Sequence, residues 1–221
     1  RYDQPIVARG AGTGLSGGAV AEKGGIVLAL TRMTGVLEVD VVNRLAVVEP
    51  GVVNIDLSDA ASEYGLYYAP DPSSQKVCTI GGNVAENSGG PHCLAHGVTT
   101  NHVLGMEVVL ADGSVHWLGG RTRETPGYDL RGIVIGSEGT LAVITEVALR
   151  LAPVPAAVSA AVCPFPDIEA AVECVQRIIG AGLHPARCEL LDEVQMDAVN
   201  RYAGLDYDVL PTVLTAHDAL K

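Results

Sequence analysis

The residues with the clearest chemical consequence are Arg9-Gly10-Ala11-Gly12-Thr13-Gly14-Leu15-Ser16-Gly17-Gly18, which follow the apolar run Pro5-Ile6-Val7-Ala8. Five of the nine residues from Gly10 to Gly18 are glycine, and none is acidic. Glycine accepts positive φ and carries no Cβ, so successive N–H groups can converge on one anion. The anion expected here is the pyrophosphate of a nucleotide cofactor. Gly12-x-Gly14-x-x-Gly17 also satisfies the spacing of the dinucleotide fingerprint, but that fingerprint requires a helix to open at the third glycine. The chain instead continues Gly18-Ala19-Val20-Ala21-Glu22-Lys23-Gly24-Gly25, with no helical period. It then enters Ile26-Val27-Leu28-Ala29-Leu30, a run suited to a buried strand. These residues predict a strand–loop–strand cradle in place of a Rossmann turn.

Two later segments also invite close backbone approach. Thr79-Ile80-Gly81-Gly82-Asn83-Val84-Ala85-Glu86-Asn87-Ser88-Gly89-Gly90 reads as a loop with paired glycines at both ends. Its asparagine amides both donate and accept, which suits a ring edge or a ribose. Gly136-Ser137-Glu138-Gly139-Thr140 is the third segment. Glu138 reads as a residue that hydrogen-bonds within its own loop, not as a base. His92, Cys93 and His96 have i,i+4 spacing that would suit zinc on a helix. Gly90-Pro91 and Gly97 bracket them, and zinc wants three or four ligands, so no metal is expected. Arg121, Arg123 and Arg131 are candidates for a carboxylate clamp, with solvent-exposed charge the stronger reading. Cys78 reads as a small buried residue, although a place beside the second segment would let it touch a ligand. His102, His116, His184 and His217 read as surface or hydrogen-bonded side chains.

The elements that must position these residues follow from periodicity and punctuation. Val36 to Glu49 reads as two strands around Asn43-Arg44, and Asn54 to Tyr64 as a helix stopped by Gly65. Leu66 to Ala69 is strand-like, with Tyr67 and Tyr68 on opposite faces, and runs into the extended loop Pro70-Asp71-Pro72-Ser73-Ser74. Val103 to Ala111 and Ser114 to Leu118 form a hairpin across Asp112-Gly113, and Leu141 to Leu151 is a long strand. Pro153-Val154-Pro155 marks a boundary. Beyond it come a strand (Val158 to Cys163), a helix capped by Asp167, a strand (Arg187 to Leu191) and a helix (Glu193 to Tyr202).

A formal net charge of −12 disfavours nucleic acid and anionic membranes. No apolar run reaches the length of a transmembrane segment, and no secretion signal opens the chain. The five cysteines are scattered and never spaced C-x-x-C, which disfavours a disulfide framework or a cysteine metal site and predicts a cytoplasmic location.

The segments Arg9 to Gly18, Pro70 to Ser74 with Thr79 to Gly90, and Gly136 to Thr145 closely resemble the FAD-linked oxidases with a vanillyl-alcohol-oxidase-type flavin domain. Within them, the resemblance is to the group of the glycolate oxidase FAD subunit and the D-lactate and D-2-hydroxyglutarate dehydrogenases, and it covers Pro5 to about Pro155. It implies an α+β fold: an FAD-binding PCMH-type domain over 1–152, strand-rich with flanking helices, and the beginning of an α+β substrate or cap domain over 153–221. It implies that the backbone of Gly10 through Gly18, entered from Arg9, wraps the FAD pyrophosphate. Pro70, Asp71, Pro72, Thr79, Gly81, Gly82, Asn83, Asn87, Ser88 and Gly90 would lie beside the flavin and its ribityl chain. Glu138, Gly139, Thr140 and Ile144 would lie near the adenine end and the pyrophosphate. Tyr128-Asp129-Leu130 also matches a family segment.

Three departures carry consequences. Ala142 stands where the family usually has glycine. The first loop has no His, Cys or Tyr that would tether a flavin, so the FAD is expected to be non-covalent. The family's flavin-domain lead-in and its H-x-G-D-G-N-x-H type motif do not occur between Arg1 and Lys221, which matches the middle of such an enzyme. The activity implied is FAD-dependent oxidation of a small 2-hydroxy acid, of glycolate or D-lactate type, to the 2-oxo acid by hydride transfer to flavin N5. No residue of this sequence is assigned as the catalytic base. The alternative is a non-catalytic or truncated nucleotide-binding module that supports a partner subunit. An iron–sulfur or other electron-transfer partner is implied, with attachment to the inner membrane only through that partner.

Overall fold

Apolar, β-branched runs before Pro155 become strands, and they join into three sheets in the computed structural model, which describes residues 4–122 and 127–219. The chain divides into two units. The first runs to Gly90 and resumes at Gly97–Val154; the second comprises Pro91–His96 and the chain from Pro155 onward.

The first unit opens with β1 (Ile6–Arg9) and β2 (Ile26–Ala29), paired in parallel. A parallel pair needs a crossover, ordinarily a helix. Here the crossover is residues 10–25, which hold turns and no helix, in line with the cradle expected from the glycines. The expectation that β2 is buried fails: Ile26, Val27 and Leu28 are 55, 44 and 39% exposed. The β1–β2 pair forms a sheet of its own, and no further strand flanks it among the described residues.

Strands β3 (Val36–Asp40) and β4 (Leu45–Val48) form a hairpin whose turn holds Arg44 at φ 52°. After α1 (Asn54–Ser62), the short β5 (Leu66–Tyr67) leads into the Pro70–Pro72 loop. Helix α2 (Ile80–Glu86) follows, then α3 (Cys93–His96), a 3-10 turn at Thr99–Asn101, and the hairpin β6 (Val103–Val109) and β7 (Val115–Gly119). Helix α4 (Leu130–Val134) precedes β8 (Val143–Arg150), and β9 (Ala152–Pro153) pairs with β5. The main sheet is antiparallel in the order β3-β4-β8-β6-β7. Central β8 buries Val147, Ala148 and Leu149 completely. Leu57 of α1, Tyr68 after β5, Ile80 and Val84 of α2, and Met106 of β6 complete the core. Each large apolar side chain buried there contributes about 1.5–3 kcal/mol. The sheet therefore makes a rigid floor on which α2 is pinned.

The second unit has β10 (Ala157–Pro164), α5 (Ile168–Gly180), β11 (Arg187–Leu191), α6 (Glu193–Ala203) and β12 (Thr212–Ala219). β12 lies between β10 and β11 in an antiparallel sheet. Asp167 caps α5 by accepting from Ala170 N at 2.8 Å. Asp192 and Gln195 form a capping box on α6, and Gly204 ends that helix at φ 65°. α3 and α6 both pack on β11.

Candidate functional site

Three segments far apart in sequence meet in the first unit, and the contacts that join them can be followed residue by residue. Thr79 caps α2, its side chain accepting from Gly82 N. The segment expected as a loop is therefore a short helix, despite the two glycines in its first turn. Asn87 closes the helix in the left-handed region at φ 51°. Gly136 N and Glu138 N then donate to Val84 O (2.9 Å) and Ala85 O (2.8 Å), so the third segment satisfies the carbonyls at the C-terminal end of α2. Glu138 adopts φ 54°, and its backbone bond goes to α2, not to its own loop as expected.

The first segment lies against both others. A Cβ on Gly10 would overlap Thr79 Oγ1, and one on Gly81 would stand 2.6 Å from Pro50 Cβ. Ser16 Oγ donates to Glu86 Oε2 at 3.5 Å, and the Glu138 side chain lies against Gly18. An open cleft of about 180 Å³ lies where the segments converge. That is less than a typical small-molecule pocket of about 300 Å³ or more, so a dinucleotide would extend from it along the loop.

Most expected residues line this cleft. From the first segment come Arg9, Gly10, Ala11, Gly12, Thr13, Gly14 and Gly18; from the second, Thr79, Gly81, Gly82, Asn83 and Ser88; from the third, Glu138, Gly139 and Ile144. Leu15, Ser16, Gly17, Pro70, Asp71, Pro72, Asn87, Gly90 and Thr140 are not among the lining residues. Asn87 Oδ1 accepts from Thr100 N at 2.9 Å, and Thr140 Oγ1 donates to Ser137 O at 2.6 Å. Asn83 lines the cleft, yet it is buried and its amide is engaged with Asn54 and Ser88. Sequence reasoning missed Pro50, Ala85 and Glu86. Glu86 sits four residues past Gly82, one helical turn on, and only the helical period of α2 would have placed it here.

Arg121 and Arg131, two of the three candidate clamp residues, do not line the cleft. Arg131 is neither solvent-exposed charge nor free for a substrate. Its Nη1 donates to Val103 O (2.8 Å) and Leu104 O (3.0 Å), tying α4 to β6, and it pairs with Asp129. The Arg131 guanidinium bond, with Gly132 N, holds the Asp129 carboxyl below the usual carboxylate range. Arg121 is exposed and pairs with Glu38 and Asp40, while Arg123 lies outside the described residues. The His92 and His96 rings stand 6.4 Å apart, and among the described residues no cluster suited to a metal forms.

The donor set suits a phosphate-bearing ligand. Among the described residues, the backbone N–H groups of Ala11 through Ser16 donate to no protein acceptor. Those of Ala11 through Gly14 border the cleft and are open to an anionic acceptor there. The Arg9 side chain lies beside Gly12 in the same loop and brings a positive charge to it. Glu86 and Glu138 bring carboxylates that accept from hydroxyls, as a ribose or ribityl chain would offer.

Comparison with known proteins accords with this geometry. The chain matches the "FAD binding domain" family over residues 1–119 and the "FAD linked oxidases, C-terminal domain" family over residues 154–219. It is 43% identical to the glycolate oxidase subunit GlcD of Escherichia coli K12 over 209 residues, 95% of this chain and 42% of that protein. It is 44% identical to GlcD of Bacillus subtilis 168, covering 94% of this chain and 44% of that one. It is 41% identical to a D-lactate dehydrogenase of Archaeoglobus fulgidus, covering 90% and 45%. The chain thus spans less than half the length of these relatives. Its fold is shared with alkyldihydroxyacetonephosphate synthase, with a TM-score of 0.82 at 24% identity, over 98% of this chain and 43% of that one. The chain belongs to the FAD-linked oxidase family, and FAD is its cofactor.

Proposed function

We propose that this chain is the flavin-holding part of an enzyme that oxidises a small 2-hydroxy acid, of glycolate or D-lactate type, to the 2-oxo acid. The observation that carries this reading is the run of amides with no protein acceptor from Ala11 to Gly14, at a cleft where three segments meet. These amides would hold the pyrophosphate, with Arg9 offsetting its charge. Thr79, the Gly81-Gly82 pair, Asn83 and Ser88 would line the wall beside the flavin, and Glu138, Gly139 and Ile144 would border the adenine end. FAD, when bound, supplies the two-electron acceptor that takes the hydride from the hydroxyl-bearing carbon. Among the described residues of the first loop no side chain offers a covalent tether, so the cofactor is held by non-covalent contacts.

The relatives named as a glycolate oxidase subunit support a partner subunit for this chain, and an electron-transfer partner suits a reduced flavin. No helix among the described residues is long and apolar enough to cross a membrane. All five cysteines are free thiols, which suits a reducing compartment, and we place the protein in the cytoplasm. The test is anaerobic addition of glycolate or D-lactate to the FAD-loaded protein as isolated from its host. Bleaching of the flavin absorption by one of these acids is the expected result. A spectrum that neither acid changes contradicts the substrate class.

A further inference from the structure

Behind the cleft wall lies an amide relay whose polarity can be derived from a single carbonyl. Asn54, the first residue of α1, is fully buried, and its Nδ2 stands 3.1 Å from Pro70 O and 2.8 Å from Asn83 Oδ1. A proline carbonyl can only accept, so the Asn54 atom facing it must be the NH2 group. Turning the amide over would set two acceptors against each other. That NH2 group then demands an acceptor from Asn83, which fixes Oδ1 toward Asn54. Cys78 Sγ, 3.7 Å from the same Oδ1, adds a second donor there. The Asn83 NH2 group is left on the side of Ser88, donating one hydrogen to Ser88 Oγ at 3.3 Å, and both residues line the cleft. The relay carries a cost, because Asn54 Oδ1 is buried with no partner in the protein. A buried amide that accepts an unpaired oxygen to keep one orientation points to a requirement for that orientation.

We propose that Asn54 is a positioning residue: through Asn83 it makes this wall of the cleft present a hydrogen-bond donor to an acceptor atom of the bound cofactor. The acceptor is a ring carbonyl, a ring nitrogen or a phosphate oxygen. This rests on the FAD reading above and deepens it, since neither Asn54 nor the polarity of Asn83 follows from the cleft lining alone.

The test compares FAD affinity, by flavin titration well below the unfolding temperature, in the wild-type protein and in Asn54→Asp, Asn83→Asp and Ser58→Ala. An aspartate at 54 supplies acceptors where Asn83 met a donor, so the Asn83 amide turns over and offers its oxygen to the cleft. Asn54→Asp and Asn83→Asp are therefore expected to weaken FAD binding alike, by about tenfold, the loss of one hydrogen bond of ordinary strength. Ser58→Ala also disturbs α1, through the bond from Tyr68 N at 3.1 Å, but lies outside the relay and is expected to leave affinity unchanged. A matching shift of the flavin bands in both variants places the acceptor on the ring, and unshifted bands place it on a phosphate. Should Asn54→Asp fail to fold, Asn54→Ala, which frees the Asn83 amide, is expected to weaken binding several-fold. An Asn54 variant that folds and binds FAD as tightly as wild type overturns the proposal while leaving the cofactor reading intact. A wild-type protein that takes up no FAD overturns both.

Discussion

At the scale of single residues, the glycines of the first loop do different jobs, and substitutions separate them. Gly10 is required by packing, because a methyl group there would displace the Thr79 hydroxyl that caps α2. Gly10→Ala is expected to cost about 1–3 kcal/mol in thermal or denaturant unfolding and to weaken FAD binding, since cap and cradle move together. Gly17 has φ 85° and open space around it, so Gly17→Ala should cost about 1–2 kcal/mol from backbone strain and leave the cleft wall in place. Equal effects on FAD affinity from the two variants would contradict this division. Arg131→Ala removes two bonds to β6 carbonyls and should destabilise the first unit by about 1.5–3 kcal/mol, with no loss of affinity for a 2-hydroxy acid. A raised KM with unchanged stability would restore the clamp reading. The glycine loop was legible because a backbone built to approach an anion leaves its mark in composition. The asparagines were legible only as polar side chains. Their partners, Asn54 for Asn83 and Thr100 N for Asn87, lie 29 and 13 residues away, and no local spacing signals them.

Among the elements, β10, β11 and the two amphipathic helices of the second unit follow their periodicity closely, whereas α2 does not. Gly81 and Gly82 sit in its first turn, where propensity alone disfavours a helix. The helix forms because Thr79 caps it, Gly81 fits under Pro50 where a side chain would not, and the third segment satisfies its last carbonyls. All three causes are tertiary or depend on a cap, which explains why the segment reads as a loop. The exposed β2 is the opposite case: an apolar run that looks like a buried strand, in a pair with no further strand beside it among the described residues. Helix capping gives a clean test in the second unit. Asp167→Ala removes the bond to Ala170 N and is expected to lower stability by about 1 kcal/mol without touching the first-unit cleft. Unfolding followed by circular dichroism, alongside FAD titration, checks it: a fall in flavin affinity with no fall in the midpoint would be the wrong pattern.

For the molecule as a whole, the net charge of −12 and the two carboxylates at the cleft make the backbone amides and Arg9 the main attraction for an anionic cofactor. Alkaline stability reports on the core beneath that cleft. Burial drives the Tyr68 phenol above the ordinary tyrosine range, and its hydroxyl has no hydrogen-bond partner in the protein. In the unfolded chain Tyr68 loses its proton near pH 10, while in the folded protein it keeps it. The stabilisation is thus fully present below about pH 10 and is lost as pH rises beyond that, because the unfolded state then binds fewer protons. Tyr68→Phe should flatten this alkaline fall in the unfolding midpoint, and an unchanged slope would show that other groups cause it. The most direct measurement of the central claim is the visible absorption spectrum of the purified protein after FAD is added and the excess removed, for wild type and for Gly10→Ala. Retained flavin bands in the wild type, released on denaturation and diminished in Gly10→Ala, are the predicted result. A wild-type protein that retains no flavin, or a folded Gly10→Ala variant that retains it as fully, would contradict the assignment of the cofactor to this cleft.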